Sequence, residues 1–559
     1  MKTIKNYMCP MRDGVKLATD LYLPDAEGAY PLILMRTPYD KNVFDSEPLY
    51  AHYTDYVEAG YVVAIQDCRG ANASEGCLNL NGKNEHLDGY DAVEYLAAQP
   101  FCNGRVGMFG LSYFGFTQMA AAGQNPPHLD AICPFMTCSL ATFGTSRMQT
   151  IAAFHLGWAY GQLLQHPEAY MPDEEFRSKM LPLLQENMGK LNEYNKFLPM
   201  NRNPAALLPG VPLLDDYIAL VEGVEKKEFW DSILSPIDHD KIHTAALHGT
   251  GWLDVACNNT IDNFMASRRS ADSFTRENAR LLIGPWTHGG VLPHEIEGID
   301  YGSENSGEAQ DVAGMMLRWF NRNLKDMDDD CFAGRVRYFV MGSNDWHTAA
   351  DWPPPEAVRT KFYLAANETL QTTLPQAGEV PMDYDPMNPA PSALVDHQKR
   401  GLTADWSMIS DRPDVLEFRT AALDCDTTIA GNLRMTLFAA TDVPDTDFAC
   451  RVTDLAPDGY QRQITAGLVR ARHRNGLFTN DFLTPGETVC YEFGVGHAGY
   501  RVEAGHRIAI QLSGSLFPDC NRNLNTMQAP SLGEDYAVAH DRIFFGGDCA
   551  SYIDLPILK

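Results

Sequence analysis

Short apolar runs rich in β-branched residues alternate with a helical pattern through the first part of the chain, and this alternation constrains the fold most. Leu32-Ile33-Leu34-Met35 and Tyr61-Val62-Val63-Ala64-Ile65 are such runs. They suit strands buried on both faces. Between Glu85 and Gln99, Leu87, Tyr90, Val93, Leu96 and Ala97 recur at helical spacing until Pro100 ends the pattern. Strand signals return at Val106-Gly107-Met108-Phe109 and Leu129-Asp130-Ala131-Ile132-Cys133. Strand, helix and strand in repetition predict a parallel α/β sheet.

A chain of 559 residues exceeds one hydrophobic core, so further domains are expected. From about 136 to 240 strand signals vanish. Ile151 to Gln165 and Glu174 to Tyr194 read as helices, as in a helical cap inserted into the α/β domain. Thr244-Ala245-Ala246-Leu247 and Arg280-Leu281-Leu282-Ile283 restore the strand pattern. Beyond Leu324 come alternating runs, among them Val336–Val340, Lys361–Leu364, Leu433–Leu437 and Arg507–Leu512. Turn signals at Pro457-Asp458-Gly459, Pro485-Gly486 and Gly505 separate them. They predict a β-sandwich, read as a jelly roll. The expected division is a catalytic α/β domain at 1–135 and 241–324, a helical cap at 136–240 and a β-domain at 325–559.

The net charge of -29 argues against nucleic acid or anionic membrane as partners. The thirteen cysteines show no C-x-x-C spacing, and no apolar run reaches membrane-spanning length. The expectation is a cytoplasmic protein with reduced thiols. His294-Glu295 lacks an evident third ligand, so no metal and no other cofactor is expected.

Gly110-Leu111-Ser112-Tyr113-Phe114-Gly115 follows a predicted strand and opens a predicted helix. In that context G-x-S marks a nucleophile raised above a sheet on a tight turn. The second glycine stands three residues after Ser112, where the familiar motif has it two after. A serine needs a base, and imidazole suits neutral pH. Of sixteen histidines, His288 fits, because it follows a strand in Gly284-Pro285-Trp286-Thr287-His288-Gly289. Asp254, in Gly251-Trp252-Leu253-Asp254, follows the preceding strand and is expected to orient the base. Its rival Asp262 falls in the next helix and reads as a solvated residue.

With these positions placed, the chain resembles the CocE/NonD serine hydrolases, the cocaine esterase-like and X-prolyl dipeptidyl-peptidase-like group of the α/β-hydrolase fold. The resemblance spans nearly the whole chain. It rests on Met11–Leu17, Arg36–Lys41, Gln66-Asp67-Cys68-Arg69-Gly70, Ser74-Glu75-Gly76, Asn103–Met108 and the segments around the three site residues. Phe339–Trp346, Thr446-Asp447-Phe448, Asp454–Gly459 and Phe517–Asn523 resemble the family's carboxy-terminal domain. The resemblance implies an oxyanion hole made by the Tyr39 hydroxyl and the backbone N–H of Tyr113. Taken alone, Tyr39 reads as a packed loop aromatic. Asp67 and Arg69 read as a structural pair, a salt bridge holding loops near the site.

The resemblance leaves the acyl group open among aryl esters, α-amino acid esters, glutaryl amides and X-Pro peptides. Val255-Ala256-Cys257 stand where α-amino acid ester hydrolases carry acidic residues, which argues against amine recognition. Trp158, Trp252 and Val255 are the expected apolar pocket walls, with Phe154 a further one; core burial is the alternative for Phe154 and Trp158. The reading is a carboxylesterase acting on a small-molecule ester or amide, with homo-oligomerisation left open. Rivals are an amidase or dipeptidyl peptidase, an acyltransferase, and a non-catalytic binding protein, whose signature would be a lost triad member.

Overall fold

The computed structural model describes residues 1–42, 52–80, 82–137, 151–233, 237, 239–392 and 403–558. The 138–150 stretch of the expected cap lies outside them.

The first sheet has ten strands. They are β1 (Lys2–Pro10), β2 (Lys16–Leu23), β3 (Tyr30–Thr37), β4 (Val62–Asp67), β5 (Cys102–Leu111), β6 (Leu129–Phe135), β7 (Ala245–Leu253), β8 (Ala279–Thr287), β11 (Val336–Val340) and β12 (Asp345–Ala349); a separate hairpin, β9 (Glu295–Ile296) and β10 (Ile299–Asp300), lies between β8 and β11. The spatial order is β1-β2-β4-β3-β5-β6-β7-β8-β11-β12. From β4 to β11 the neighbours run parallel, and the edges are antiparallel. The central strands are buried along nearly their whole length, which is why their sequences are continuous apolar runs.

Val336–Val340, expected to open the β-domain, instead pairs in parallel with β8, Val336 opposite Leu281. The first sheet therefore continues past residue 324. The alternation in Val336–Val340 fits either sheet; pairing decides between them.

The helices α1 (Tyr53–Glu58), α2 (Glu85–Ala97) and α3 (Tyr113–Ala122) flank this sheet, and α4 (Ile151–Gln165) opens the helical block between β6 and β7. Leu156, Tyr160 and Leu163 of α4 pack with Leu184, Leu213, Tyr217 and Leu220 in one cluster. Among the described residues of this block there are helices and no strand.

An eleven-stranded sheet of mainly antiparallel pairs forms the remainder. Along Thr427–Ala440, the residues Leu433, Met435, Leu437 and Ala439 alternate into its core. This domain touches the cap directly. The Met200 N–H donates to the Ser531 carbonyl at 2.9 Å, and Ser531 Oγ donates to the Val221 carbonyl at 3.0 Å.

No helix among the described residues is long and apolar enough to cross a membrane. Among the described residues no disulfide joins two cysteines.

Asp541 is buried in the second sheet, and that burial raises its carboxyl to about 7, with Thr441 opposing and Asp442 and Asp383 adding to the rise. An unfolded aspartate titrates near ~4. Between these values the folded chain holds the extra proton, so stability falls as pH rises through that window. Asp541→Asn is expected to raise the melting temperature at pH 8 and to leave it nearly unchanged at pH 4, checked by thermal denaturation at both values.

Candidate active site

Three parallel strands deliver the expected residues to one edge of the sheet. Ser112 follows β5, Asp254 follows β7 and His288 follows β8. Ser112 Oγ lies 2.8 Å from His288 Nε2, and His288 Nδ1 lies 2.7 Å from Asp254 Oδ1.

Ser112 adopts φ 58°, ψ −125°, and Tyr113 begins α3 directly after it. Such a backbone costs a non-glycine residue about 1–3 kcal/mol. The flanking glycines make the turn possible. At Gly110 (φ 144°) a Cβ would lie 2.3 Å from Phe114 Cβ, and at Gly115 one would lie 2.6 Å from Thr137 Cβ and 2.8 Å from the Phe135 carbonyl oxygen. The spacing Gly110…Gly115 thus serves the close approach of α3 to β6, and Phe114 is accommodated between them. Thr137 Oγ1 donates to the Ser112 carbonyl at 3.0 Å, and Gln118 Nε2 donates to the Gly110 carbonyl at 3.0 Å. These bonds hold the turn from both sides.

The Asp254 carboxylate is buried and doubly supported. Oδ2 accepts from Thr250 Oγ1 at 2.9 Å, and Oδ1 accepts from the Ala256 N–H at 3.0 Å. Asp262 is not simply solvated: its Oδ1 lies 3.2 Å from His497 Nε2, across the contact with the second sheet.

Other histidines are ill placed as bases. Burial drives His248 down to about 3, so it stays neutral inside β7. His347 meets Asp345, which in turn accepts from Ser343 Oγ. There the carboxylate stands in the middle and no imidazole faces the serine.

Tyr39 lies on the loop after β3, half-buried. Its Oη accepts from Trp158 Nε1 at 2.9 Å. Its ring packs edge-on to Tyr113 and Phe114. Its N–H donates to Thr37 Oγ1 at 3.0 Å. The loop is pinned two residues further on: the Lys41 N–H donates to Asp67 Oδ1 at 2.9 Å, and Lys41 Nζ lies 3.2 Å from Asp67 Oδ2. The expected Asp67–Arg69 salt bridge is therefore corrected. Asp67 is claimed by Lys41, while Arg69 reaches outward to Asp88 and Asp13. Asp67 is the last residue of β4 and Arg69 lies in the turn beyond it, where the alternation of a strand no longer sets side-chain direction, and each found a partner elsewhere.

Tyr113 contributes the first N–H of α3, a position with no intrahelical acceptor. Its phenol donates to Glu85 Oε1 at 3.0 Å, and Glu85 pairs with the buried Arg36 at 2.8 Å. Burial pushes the Tyr113 phenol well above its ordinary range, with Glu85 adding to the shift, so it remains a donor at neutral pH.

The expected pocket walls divide. Trp158 faces Tyr39 and Tyr113. Phe154, one helical turn away, is 50% exposed, which rules out an ordinary core role. Val255 is half-buried, one residue beyond Asp254. Trp252 is directed elsewhere: its Nε1 donates to the Phe339 carbonyl at 2.6 Å and its ring lies 5.9 Å from that of Trp352, against the second sheet. Trp252 belongs to the seam between sheets. An indole with a free choice between an open pocket and a buried carbonyl gains by satisfying its N–H.

Thr250 and Glu85 carry no motif of their own, and Arg36 and Lys41 bound a segment of the resemblance in which only Tyr39 was given a role. Only the spacing of Thr250, four residues before Asp254 on the same strand end, offered a local signal.

Comparison with known proteins agrees with this architecture. Residues 13–290 match the model of the X-Pro dipeptidyl-peptidase family S15, and residues 333–554 match that of the X-Pro dipeptidyl-peptidase C-terminal non-catalytic domain. The chain is a serine hydrolase, with an α/β-hydrolase region followed by a non-catalytic domain of antiparallel strands. It belongs to the CocE/NonD serine hydrolase family. It is 33% identical over 584 residues to the cocaine esterase of Rhodococcus sp. (strain MB1 Bresler), covering 99% of this chain and 98% of that protein. The fold is similar to that of an aminopeptidase from the marine sediment archaeon Thaumarchaeota archaeon (TM-score 0.75, 22% identity, 100% of this chain and 96% of that one). It is also similar to a CocE/NonD family hydrolase from Staphylococcus aureus (TM-score 0.71, 20% identity, 99% and 93%).

Thr250→Val keeps the shape of the strand and removes a donor to the Asp254 carboxylate. Such a bond to a charged group contributes about 1.5–3 kcal/mol. The rate of fluorophosphonate labelling is expected to fall about tenfold or more, measured by gel-based competition against the unsubstituted enzyme.

Proposed function

We propose that this enzyme hydrolyses carboxylic esters of small molecules through an acyl-enzyme formed on Ser112. The observation that carries the reading is the continuous bond path from Ser112 Oγ through His288 to Asp254, 2.8 Å and then 2.7 Å.

Asp254 accepts a hydrogen bond from His288 Nδ1–H, which keeps that proton on the ring and leaves Nε2 as the base. Nε2 takes the Ser112 proton while Oγ attacks the ester carbonyl. The carbonyl oxygen becomes an oxyanion, received by the Tyr39 hydroxyl and the Tyr113 N–H. His288 then protonates the departing alkoxide, and the C–O bond to it breaks. Water, deprotonated by the same imidazole, attacks the acyl-enzyme and releases the acid and Ser112. Proton and charge return to their starting positions.

The name of the Rhodococcus relative, cocaine esterase, favours ester over amide. A second reading, hydrolysis of an amide such as an X-Pro peptide bond, is favoured by the description of the family matched over residues 13–290. The aromatic surroundings of Ser112, Tyr39 with Tyr113 and Trp158, favour an apolar acyl or aryl group.

Fluorophosphonate labelling with peptide mass spectrometry is expected to place the adduct on Ser112 and to lose it in Ser112→Ala. An adduct on another serine, or one that survives the substitution, would overturn the assignment. Tyr39→Phe is expected to lower kcat on p-nitrophenyl esters by about 10²–10³. Matched ester and amide substrates sharing one acyl group separate the two readings; faster turnover of the amide at saturation would displace the ester proposal.

A further inference from the structure

Trp158 reaches down from cap helix α4 and makes two contacts in the floor of the site. Its Nε1–H donates to Tyr39 Oη at 2.9 Å. Its ring lies over that of Tyr113, with centroids 5.8 Å apart and planes 8° from parallel. Tyr39 and Tyr113 also meet edge-on, at 6.4 Å. The lower member of this stack is fixed from beneath, because Tyr113 Oη is bonded to Glu85 at 3.0 Å and Glu85 to Arg36 at 2.8 Å.

A phenol has one proton and accepts through its oxygen lone pairs. Accepting from the indole fills one direction around Tyr39 Oη and turns the phenol's own proton toward another. An accepted hydrogen bond also polarises the hydroxyl and strengthens the bond it donates. Oxyanion donors act by being aimed before charge develops.

We propose that Trp158 is a positioning residue for the oxyanion hole: its N–H aims the Tyr39 hydroxyl while its face holds the Tyr113 ring at the start of α3. This rests on the reading of Tyr39 and the Tyr113 N–H as the oxyanion donors. Because Trp158 belongs to α4, the helical block contributes a bond to the hole from outside the sheet. A pocket wall would act differently. It would govern which acyl group fits, and its removal would be felt more by large acyl groups than by small ones.

Trp158→Phe keeps a ring for the stack and removes the N–H. On p-nitrophenyl acetate and p-nitrophenyl benzoate alike, kcat is expected to fall about 10- to 100-fold, short of the loss from deleting a donor outright, with KM changed by no more than about twofold. In a Tyr39→Phe background the same substitution is expected to change kcat less than about twofold, because the hydroxyl it aims is gone. A loss that grows with acyl size, a change confined to KM, or full additivity with Tyr39→Phe would overturn the proposal. Should Trp158→Phe not fold by circular dichroism, Trp158→His is carried through the same cycle, where additivity overturns the proposal and coupling to Tyr39 upholds it. If Tyr39→Phe alone costs less than about tenfold while Ser112 still labels, the reading of Tyr39 fails first, and the role of Trp158 falls with it.

Discussion

A serine hydroxyl held 2.8 Å from an imidazole requires the chain to leave its strand abruptly, and the geometry at Ser112 is shaped by that requirement. The unfavourable backbone of Ser112 persists because its surroundings over-determine it. Gly110 and Gly115 give up their side chains so that α3 approaches β5 and β6. Thr137 and Gln118 tie the turn to its neighbours. Beneath it, Arg36, Glu85 and Tyr113 form a polar chain inside the hydrophobic interior. A buried charge without a partner would cost several kcal/mol; here the charges of Arg36 and Glu85 face each other at 2.8 Å.

Parallel strands explain how positions far apart in sequence meet. Their carboxyl ends share one edge of the sheet, and the site is drawn from the ends of β5, β7 and β8, with Tyr39 supplied from the loop after β3. Each loop has its own anchor. Lys41 fastens the Tyr39 loop to Asp67. Thr250 and the Ala256 N–H fasten Asp254. The order of strands sets the approximate position of each group, and these local bonds set its final direction.

The elements legible in the sequence were those with a local physical signature. The strand–turn–helix around Ser112 was readable because glycine spacing reports a close approach. Asp254 and His288 were readable because each follows a buried apolar run. What escaped depends on partners distant along the chain. Trp252, in β7, donates to the Phe339 carbonyl, and Trp158, in α4, donates to the Tyr39 hydroxyl. Nothing within a few residues of either names its partner. The Asp67–Arg69 pairing failed for the same reason: proximity in sequence at the end of a strand does not decide which way two side chains turn. Val336–Val340 pairs antiparallel with β12 and in parallel with β8, so it belongs to the first sheet, a fact of topology and not of composition.

The bonds through Ser531 have a wider implication. This one residue, late in the chain, accepts from Met200 and donates to Val221, so the final domain grips the helical block at separate points. The helical block that carries Trp158 is thereby braced by a domain that supplies none of Ser112, Asp254 and His288. A substitution at Ser531 thus bears on the backbone of the helical block at Met200 and Val221, far along the chain from the residue changed.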